Sequence, residues 1–295
     1  LKDVCMELES TEVGRLYDLD VLDAAGEKLS RPEMRRCLVC GGPVAVCSRS
    51  RAHGLDAICA ETARRLAEFA CTTLGNLAAD ALREEAALSP KPGLVDSRTN
   101  GAHTDMDLLL MLRSAETLRP WFCRMVRLGL DGAAPAQLQN AGRQAEAEML
   151  QATGGVNTHK GAIFSLGIAC ASLGMGYGAP LRAHETLARC GEMTGAQMRR
   201  ELEAAKAGQA RTFGEAIYQK AGVGGVRAEA ASGFASVREI ALPRLNAGLK
   251  AGLSLNDAAL CALTALMADT QDTNAVRRGG EAGAAAMRET ALALD

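Results

Sequence analysis

From Leu55 to its end, the chain is a succession of segments with helical apolar spacing, interrupted by short polar clusters. Residues 57–88 form one long periodic segment that ends at Ser-Pro-Lys-Pro-Gly. Ala, Leu, Met, Glu, Arg and Gln dominate the composition, which favours helix. Further helices are expected at 108–118, 120–130, 135–152, 162–173, 181–193, 195–207, 237–251, 255–270 and from 279. The pattern predicts an all-α fold built as one large multi-helix domain.

The first 53 residues have a different pattern. Residues 14–23 alternate apolar and polar side chains and are followed by a turn at Ala25-Gly26, which is typical of a strand and its turn. We therefore expect a small β-containing N-terminal stub at 1–53, followed by an all-helical domain at 54–295.

Charge and composition exclude several classes of function. The net charge is −2 and aromatic residues make up 3% of the chain, so neither a nucleic acid nor a membrane surface is an expected partner. No apolar run reaches the ~18 residues that a membrane span needs. No signal peptide follows Leu1, so a fragment of a cytoplasmic protein is expected.

Ten cysteines are present, and most are scattered through predicted helices as small apolar residues. The exception is Cys37-x-x-Cys40 with Cys47 and His53, which together offer four zinc ligands. The second half of this set lacks the usual paired spacing. The alternative is a chance group of thiols in a short segment.

The richest polar cluster is Ala-Thr-Gly-Gly-Val-Asn-Thr-His-Lys-Gly at 152–161, between two predicted helices. Gly154 and Gly155 allow positive φ and close approach of a ligand. Asn157, Thr158 and Lys160 follow at the start of the next helix, where free N–H groups favour an anion. The run predicts a phosphate site, although it is neither a Walker A loop nor a dinucleotide fingerprint. Glu146, two helical turns before Thr153, is expected to project toward the same site.

Three other clusters carry charge. In the loop 89–107, Lys91 and Arg98 are cationic, while Asp105 and Asp107 are candidate ligands of a hard cation or simply part of a solvated helix start. Near the chain's second glycine-rich stretch, Arg227 and Glu229 are suited to hold an anion and accept a proton. The third cluster contains two carboxylates on one helix face, Asp269 and Asp272. They are candidate ligands of a divalent cation, or they make local hydrogen bonds at the C-terminus of a helix.

In order and spacing, these motifs resemble the triphosphoribosyl-dephospho-CoA synthase family, CitG and its malonate-decarboxylase counterpart. The matching pieces are Ser-Pro-Lys-Pro-Gly-Leu-Val-Asp (89–96), Asn-Gly-Ala-His-Thr-Asp-Met-Asp (100–107), the 152–161 run, Gly-Val-Arg-x-Glu-Ala (225–230) and Asp-Thr-Asn (272–274) with Arg278. Residues 1–53 look like the tail of the citrate lyase phosphoribosyl-dephospho-CoA transferase, on Gly-Arg-Leu-Tyr-Asp-Leu-Asp-Val and Arg-Arg-Cys-Leu-x-Cys. The resemblance implies a transferase–synthase fusion of which this chain is a part.

The resemblance implies that ATP and 3′-dephospho-CoA are joined with loss of adenine, the 2′-hydroxyl attacking C1 of the ATP ribose. A transferase and the citrate lyase acyl carrier protein would then receive the product. Glu229 or Glu146 is expected as the base, and His159 or His103 as the acid or hydrogen-bond donor. Mg²⁺ is expected on Asp105, Asp107, Asp269 or Asp272. The residues expected to bind the nucleotide are Lys91, Arg98, Asn100, Gly154, Gly155, Asn157, Thr158, Lys160, Arg227, Asn274 and Arg278.

Two rival functions stay open on the sequence. One is a Mg²⁺-dependent ribosyl hydrolase of the ADP-ribose-cleaving kind, in which water replaces the acceptor hydroxyl. The other is a non-catalytic helical module that binds a nucleotide or CoA. Adenine release that depends on dephospho-CoA distinguishes the synthase from both.

Overall fold

A computed structural model describes residues 1–208, 216, 219, 224–270 and 273–294, and for residues 273, 274, 277 and 278 it describes the backbone only. The chain divides into two compact units, Leu1–Thr73 and Leu74–Asp295. The division falls inside one long helix, and the boundary predicted at 53–54 stays a prediction. None of the helices in the described ranges has the length and apolar character needed to cross a bilayer.

The described residues form eleven α-helices, which confirms the predicted all-α class. A 3₁₀ turn, Gly14–Leu16, and a π-helical segment, Val237–Ala241, complete the helical structure. The helices are α1 (Lys2–Ser10), α2 (Val44–Ser50), α3 (Leu55–Ala87), α4 (Leu108–Leu130), α5 (Pro135–Ala152), α6 (Lys160–Met175), α7 (Ala183–Ala207), α8 (Gly225–Ala231), α9 (Leu242–Lys250), α10 (Leu255–Asp269) and α11 (Thr273–Leu294).

The strand predicted over residues 14–23 does not form. Among the described residues, β-structure is limited to two isolated bridges, Leu22 with Lys28 and Arg36 with Pro43. The Leu19 amide donates to the buried carboxylate of Glu9 (2.8 Å) rather than to a neighbouring strand. That carboxylate also pairs with Arg31, and this pairing lowers the pKa of Glu9 to about 2. A side chain therefore satisfies the backbone group that the alternating pattern assigned to a sheet.

Two predicted helix breaks are absent because packing holds the helices together across them. The sequence predicted an interruption before Pro120, yet α4 continues through it, and Leu118 and Phe122 on either side are fully buried. Helix α7 likewise continues through Gly195. A Cβ atom there would lie 3.2 Å from the carbonyl oxygen of Ala231, so the glycine allows α7 and the end of α8 to approach closely.

Helices α4 and α6 pack with their backbones in contact. A Cβ atom on Gly129 would lie 1.9 Å from the Ala171 carbonyl oxygen, and one on Gly174 would lie 2.0 Å from the Val126 carbonyl oxygen. Only glycine fits at these two positions of the crossing. The close packing fixes the position of α6, whose first residue, Lys160, belongs to the polar turn identified in the sequence.

Candidate active site

The polar turn 153–159 connects α5 to α6. Gly154 and Gly155 adopt φ values of 66° and 91°, so both use the positive φ that the sequence predicted for them. The Thr153 hydroxyl lies 2.6 Å from the Val156 carbonyl oxygen and closes the turn. The Asn157 side chain accepts the Lys160 amide (3.2 Å) at the start of α6. The turn thus delivers a lysine to a helix N-terminus, where anions are favoured.

Lys160 reaches back to α5 and forms an ion pair with Glu146. The distance from Lys160 Nζ to Glu146 Oε1 is 2.6 Å, and both side chains are partly exposed. Because an exposed ion pair contributes little to stability, the pair is readily opened by a charged ligand. The structure therefore places Glu146 beside the turn, as the sequence predicted, and pairs it with Lys160.

The pair lines a cavity of about 660 Å³ bounded by α4, α5, α6, α7 and α8. Apolar side chains such as Met125, Ile163, Phe164 and Met198 form much of its wall. Its charged residues are Arg143, Glu146, Lys160, Glu201 and Arg227. An apolar cavity with a few charged groups is the usual form of a site for a small organic ligand.

The two residues of the Gly-Val-Arg-x-Glu motif have different surroundings. Arg227 lines the cavity, and its Nε lies 3.3 Å from Glu201 Oε2. Glu229 accepts the Ser236 hydroxyl (2.6 Å) and the Ser236 amide (3.3 Å), within its own segment. Of the two carboxylates predicted as a base, Glu146 is therefore the one that lines the cavity.

His159 is buried between the turn and α4. Its Nδ1 lies 2.8 Å from the Ser114 hydroxyl, which also accepts the Thr158 hydroxyl at 2.7 Å. Nε2 is buried and has no hydrogen-bonding partner within the described part of the chain. Burial lowers the pKa of His159 from 6.5 to about 4, to which Lys91 contributes while Glu85 opposes it. The ring is therefore neutral at pH 7.

This histidine makes stability depend on pH. As pH falls, the unfolded chain binds the proton first, so the contribution of neutral His159 is complete above pH 6.5 and lost toward pH 4, by about 3 kcal/mol in total. We expect urea unfolding to show about 2 kcal/mol of this loss between pH 7 and pH 5, and His159→Gln to flatten the pH profile. His184→Gln, at an exposed position on α7, is the matched control. Parallel pH profiles for wild type and His159→Gln would contradict the assignment.

The Ser-Pro-Lys-Pro-Gly loop is organised by two carboxylates. Asp96 accepts the amides of Lys91, Arg98 and Thr99 at 2.7–3.0 Å, and these bonds hold the pKa of that carboxyl well below its usual range. The Lys91 ammonium is buried and donates to the Glu85 carboxylate at 2.8 Å. Lys91 as a phosphate ligand stays a prediction, and it would first have to leave Glu85.

The end of the polar loop and the start of α4 line a second, smaller pocket of about 350 Å³. Its lining includes Asn100, Asp105, Asp107 and Arg113. Asp107 also caps α4 by accepting the Leu110 amide at 2.8 Å. The imidazole of His103 lies 3.7 Å from an Asp105 carboxylate oxygen. Arg98 is exposed next to this loop.

The predicted residues near the C-terminus are only partly described. Asp269 is exposed at the end of α10. Asp272 lies outside the described residues, as do the side chains of Asn274 and Arg278. Among the described residues, one group of three or more potential metal ligands has its ligand atoms close together. It lies in the first unit and consists of Cys37, Cys40, Cys47 and His53.

Sequence reasoning did not identify Glu85 or Ser114, the partners of Lys91 and His159. Neither residue lies in a recognisable sequence motif. Ser114 contacts a residue distant along the chain, and Glu85 contacts a residue across a turn. Asp96 was quoted only within its motif. Its position two residues before Arg98, in a loop rich in Ser, Thr and Asn, is the signal that could have marked it as a turn-forming carboxylate.

Comparison with known proteins places the chain in a family. The family model described as ATP:dephospho-CoA triphosphoribosyl transferase (CitG) matches residues 71–294. The chain belongs to this family. It is accordingly an enzyme, a triphosphoribosyl-dephospho-CoA synthase. Residues 1–69 match the model for apo-citrate lyase phosphoribosyl-dephospho-CoA transferase (CitX).

Three relatives are similar to most or all of the chain. Protein CitXG of Haemophilus influenzae is 37% identical, over 100% of this chain and 67% of its own length. The probable 2-(5''-triphosphoribosyl)-3'-dephosphocoenzyme-A synthase of Vibrio cholerae is 42% identical over 75% of this chain and 73% of its own length. A Salmonella typhimurium synthase of the same description is 41% identical over 73% of the chain and 74% of its own length. No solved structure matches the chain.

Proposed function

We propose that the triphosphoribosyl group of ATP is transferred to dephospho-CoA at the charged end of the cavity, beside Lys160 and Glu146. The observation that carries the proposal is the 2.6 Å ion pair between these residues on the wall of a cavity of about 660 Å³. A cation for phosphate and a carboxylate for the ribose are thereby placed within hydrogen-bonding distance of each other.

The triphosphate fits the start of α6. Lys160 and the free amides of the helix N-terminus supply positive charge, and Arg143 and Arg227 line the same cavity. The apolar walls suit the adenine base and the pantetheine chain of dephospho-CoA, which carry no charge. Phosphate binding to Lys160 would also release Glu146 from its ion pair.

Glu146 is then available for the chemistry. The 2′-hydroxyl of dephospho-CoA attacks C1 of the ATP ribose, the bond to adenine breaks, and positive charge develops on the ribose. A free carboxylate stabilises that charge and accepts the hydroxyl proton, while the departing adenine takes up a proton and leaves as the neutral base. Glu229 is less suited to this role because Ser236 already occupies its carboxylate. Neutral His159 would act through hydrogen bonding rather than as a charged acid.

Mg²⁺ is part of the proposal, with Asp105 and Asp107 as its protein ligands. Both carboxylates line the smaller pocket together with the Asn100 amide. Mg²⁺ usually keeps several waters and takes one or two carboxylates plus phosphate oxygens, so this donor set fits the ion. When bound, it would neutralise phosphate charge. Asp269 and Asp272 remain candidate ligands on sequence grounds.

The CitX-type segment supports a role in citrate lyase assembly. We propose that the product passes to a phosphoribosyl-dephospho-CoA transferase, which loads it onto the citrate lyase acyl carrier protein in the cytoplasm. The support is the match of residues 1–69 to the CitX family and the full-length likeness to CitXG.

The reaction is tested by following adenine and product together. We expect the purified chain with ATP, Mg²⁺ and dephospho-CoA to release adenine and form triphosphoribosyl-dephospho-CoA in equal amounts, detected by liquid chromatography and mass spectrometry. Omitting dephospho-CoA should abolish adenine release. Ribosyl product without dephospho-CoA would indicate a hydrolase, and ligand binding without adenine release would indicate a binding module.

A further inference from the structure

Four metal-binding side chains converge in the first unit, outside the site for nucleotide chemistry. Cys37 and Cys40 lie on a turn, Cys47 lies on α2, and His53 follows that helix. One ligand atom from each, a thiol sulfur or an imidazole nitrogen, lies within 4.8 Å of all the others. The first and the last are sixteen positions apart in sequence, so folding of the chain brings them together.

Two backbone turns, each with a residue of positive φ, bring the four ligands together. The Cys37 amide donates to the Gly42 carbonyl (2.6 Å) and the Gly41 amide donates to the Cys37 carbonyl (3.0 Å), with φ of 72° at Gly41. This reversal places Cys37 and Cys40 together. After α2, Arg51 has φ of 49°, and the chain turns toward His53. A positive φ is unfavourable for a non-glycine residue, so the surrounding structure must hold Arg51 there.

The spacing of the atoms fits a tetrahedral ion. Zinc bonds of about 2.3 Å to sulfur and about 2.0–2.1 Å to nitrogen place tetrahedral ligand atoms roughly 3.5–3.8 Å apart. The sulfur atoms of Cys40 and Cys47 are 3.5 Å apart, which is far beyond the roughly 2.05 Å of a disulfide. The cluster therefore has the dimensions of a metal site rather than of a cross-link.

His53 supplies an independent observation. Its Nε2 is shielded from solvent and has no hydrogen-bonding partner in the described structure. A buried polar atom without a partner is unfavourable, and a bond from that atom to a metal ion removes the penalty. Three thiolates and one imidazole form the Cys₃His set that is typical of closed, structural zinc sites.

We propose that Cys37, Cys40, Cys47 and His53 bind one structural zinc ion. The described part of residues 1–54 has few buried apolar side chains, Val21 and Cys37, so a metal would supply cohesion that a core does not. With four protein ligands the ion has no open position for a substrate, and its role is to hold the 37–53 segment in shape. The proposal is independent of the synthase reaction.

Metal content of the full chain tests the proposal. We expect the chain, purified under reducing conditions, to carry one zinc per molecule by mass spectrometry of the elements. Cys47→Ser and His53→Ala should each lower that content at least fivefold. Cys59→Ser, an exposed thiol on α3 outside the cluster, is the matched control and should keep the full content.

Cobalt provides a second readout that does not depend on the folding of variants. Adding Co²⁺ to the metal-stripped, reduced wild-type chain should produce thiolate charge-transfer bands and the visible bands of a tetrahedral site, displaced by one equivalent of Zn²⁺. A wild-type chain that lacks zinc and gives no such bands would overturn the proposal. So would Cys47→Ser and His53→Ala variants with the same zinc content as Cys59→Ser.

Discussion

Glu146→Gln is expected to lower kcat about 10²–10³-fold while leaving the KM for ATP unchanged or lower. The amide keeps the shape of the side chain but neither stabilises positive charge on the ribose nor accepts a proton. It also leaves Lys160 without its carboxylate partner, which is 2.6 Å away in the wild type, so the lysine becomes fully available to phosphate. Steady-state adenine release over a range of ATP concentrations measures both parameters.

Two further variants make this prediction specific. Glu148→Gln lies on the same helix, and its carboxylate accepts the Trp121 indole N–H at 2.7 Å, so it is the matched control and should keep near wild-type turnover. Glu229→Gln represents the competing base. A near wild-type kcat for Glu146→Gln, or a much larger loss of kcat for Glu229→Gln, would contradict the assignment of Glu146 and indicate Glu229 as the base.

Filling the cavity has the second large effect. Gly142 lies one helical turn before Glu146 on α5 and lines the cavity, and a Cβ atom there would meet nothing within 4 Å. A side chain can therefore leave the helix at this position, and a tryptophan is expected to extend into the space assigned to substrate. Alanine at the same position adds only one methyl group and improves helix propensity by about 1 kcal/mol. The two variants differ in cavity space rather than in fold.

The helical fold could be predicted largely from sequence because apolar periodicity reports which face of each helix is buried. The errors occur where tertiary contacts override local preference. Pro120 and Gly195 normally interrupt helices, but packing against fully buried neighbours and a close helix crossing hold α4 and α7 continuous. In residues 14–23 the alternating pattern was wrong because the Glu9 carboxylate, ten residues before Leu19, takes the place of a strand partner.

In the candidate site, too, local features could be predicted from sequence and tertiary contacts could not. Gly154 and Gly155 could be assigned to a turn because adjacent glycines followed by helix-capping residues have few other uses. Glu146 was expected near the turn because it lies two helical turns before Thr153, but its ion pair with Lys160 was not predicted. The burial of Lys91 against Glu85 was not predicted either, because charge alone gives no sign of whether a lysine points to solvent or into the protein.

Product formation by Gly142→Trp relative to Gly142→Ala tests most directly whether the cavity beside Lys160 and Glu146 is the site of transfer. Both variants are compared at the same ATP, Mg²⁺ and dephospho-CoA concentrations, with far-UV circular dichroism and urea midpoints as checks of folding. We expect the Gly142→Ala variant to form triphosphoribosyl-dephospho-CoA at close to the wild-type rate. In the Gly142→Trp variant the rate of product formation should fall at least about a hundredfold. Equal rates for two folded variants would contradict the assignment of this cavity.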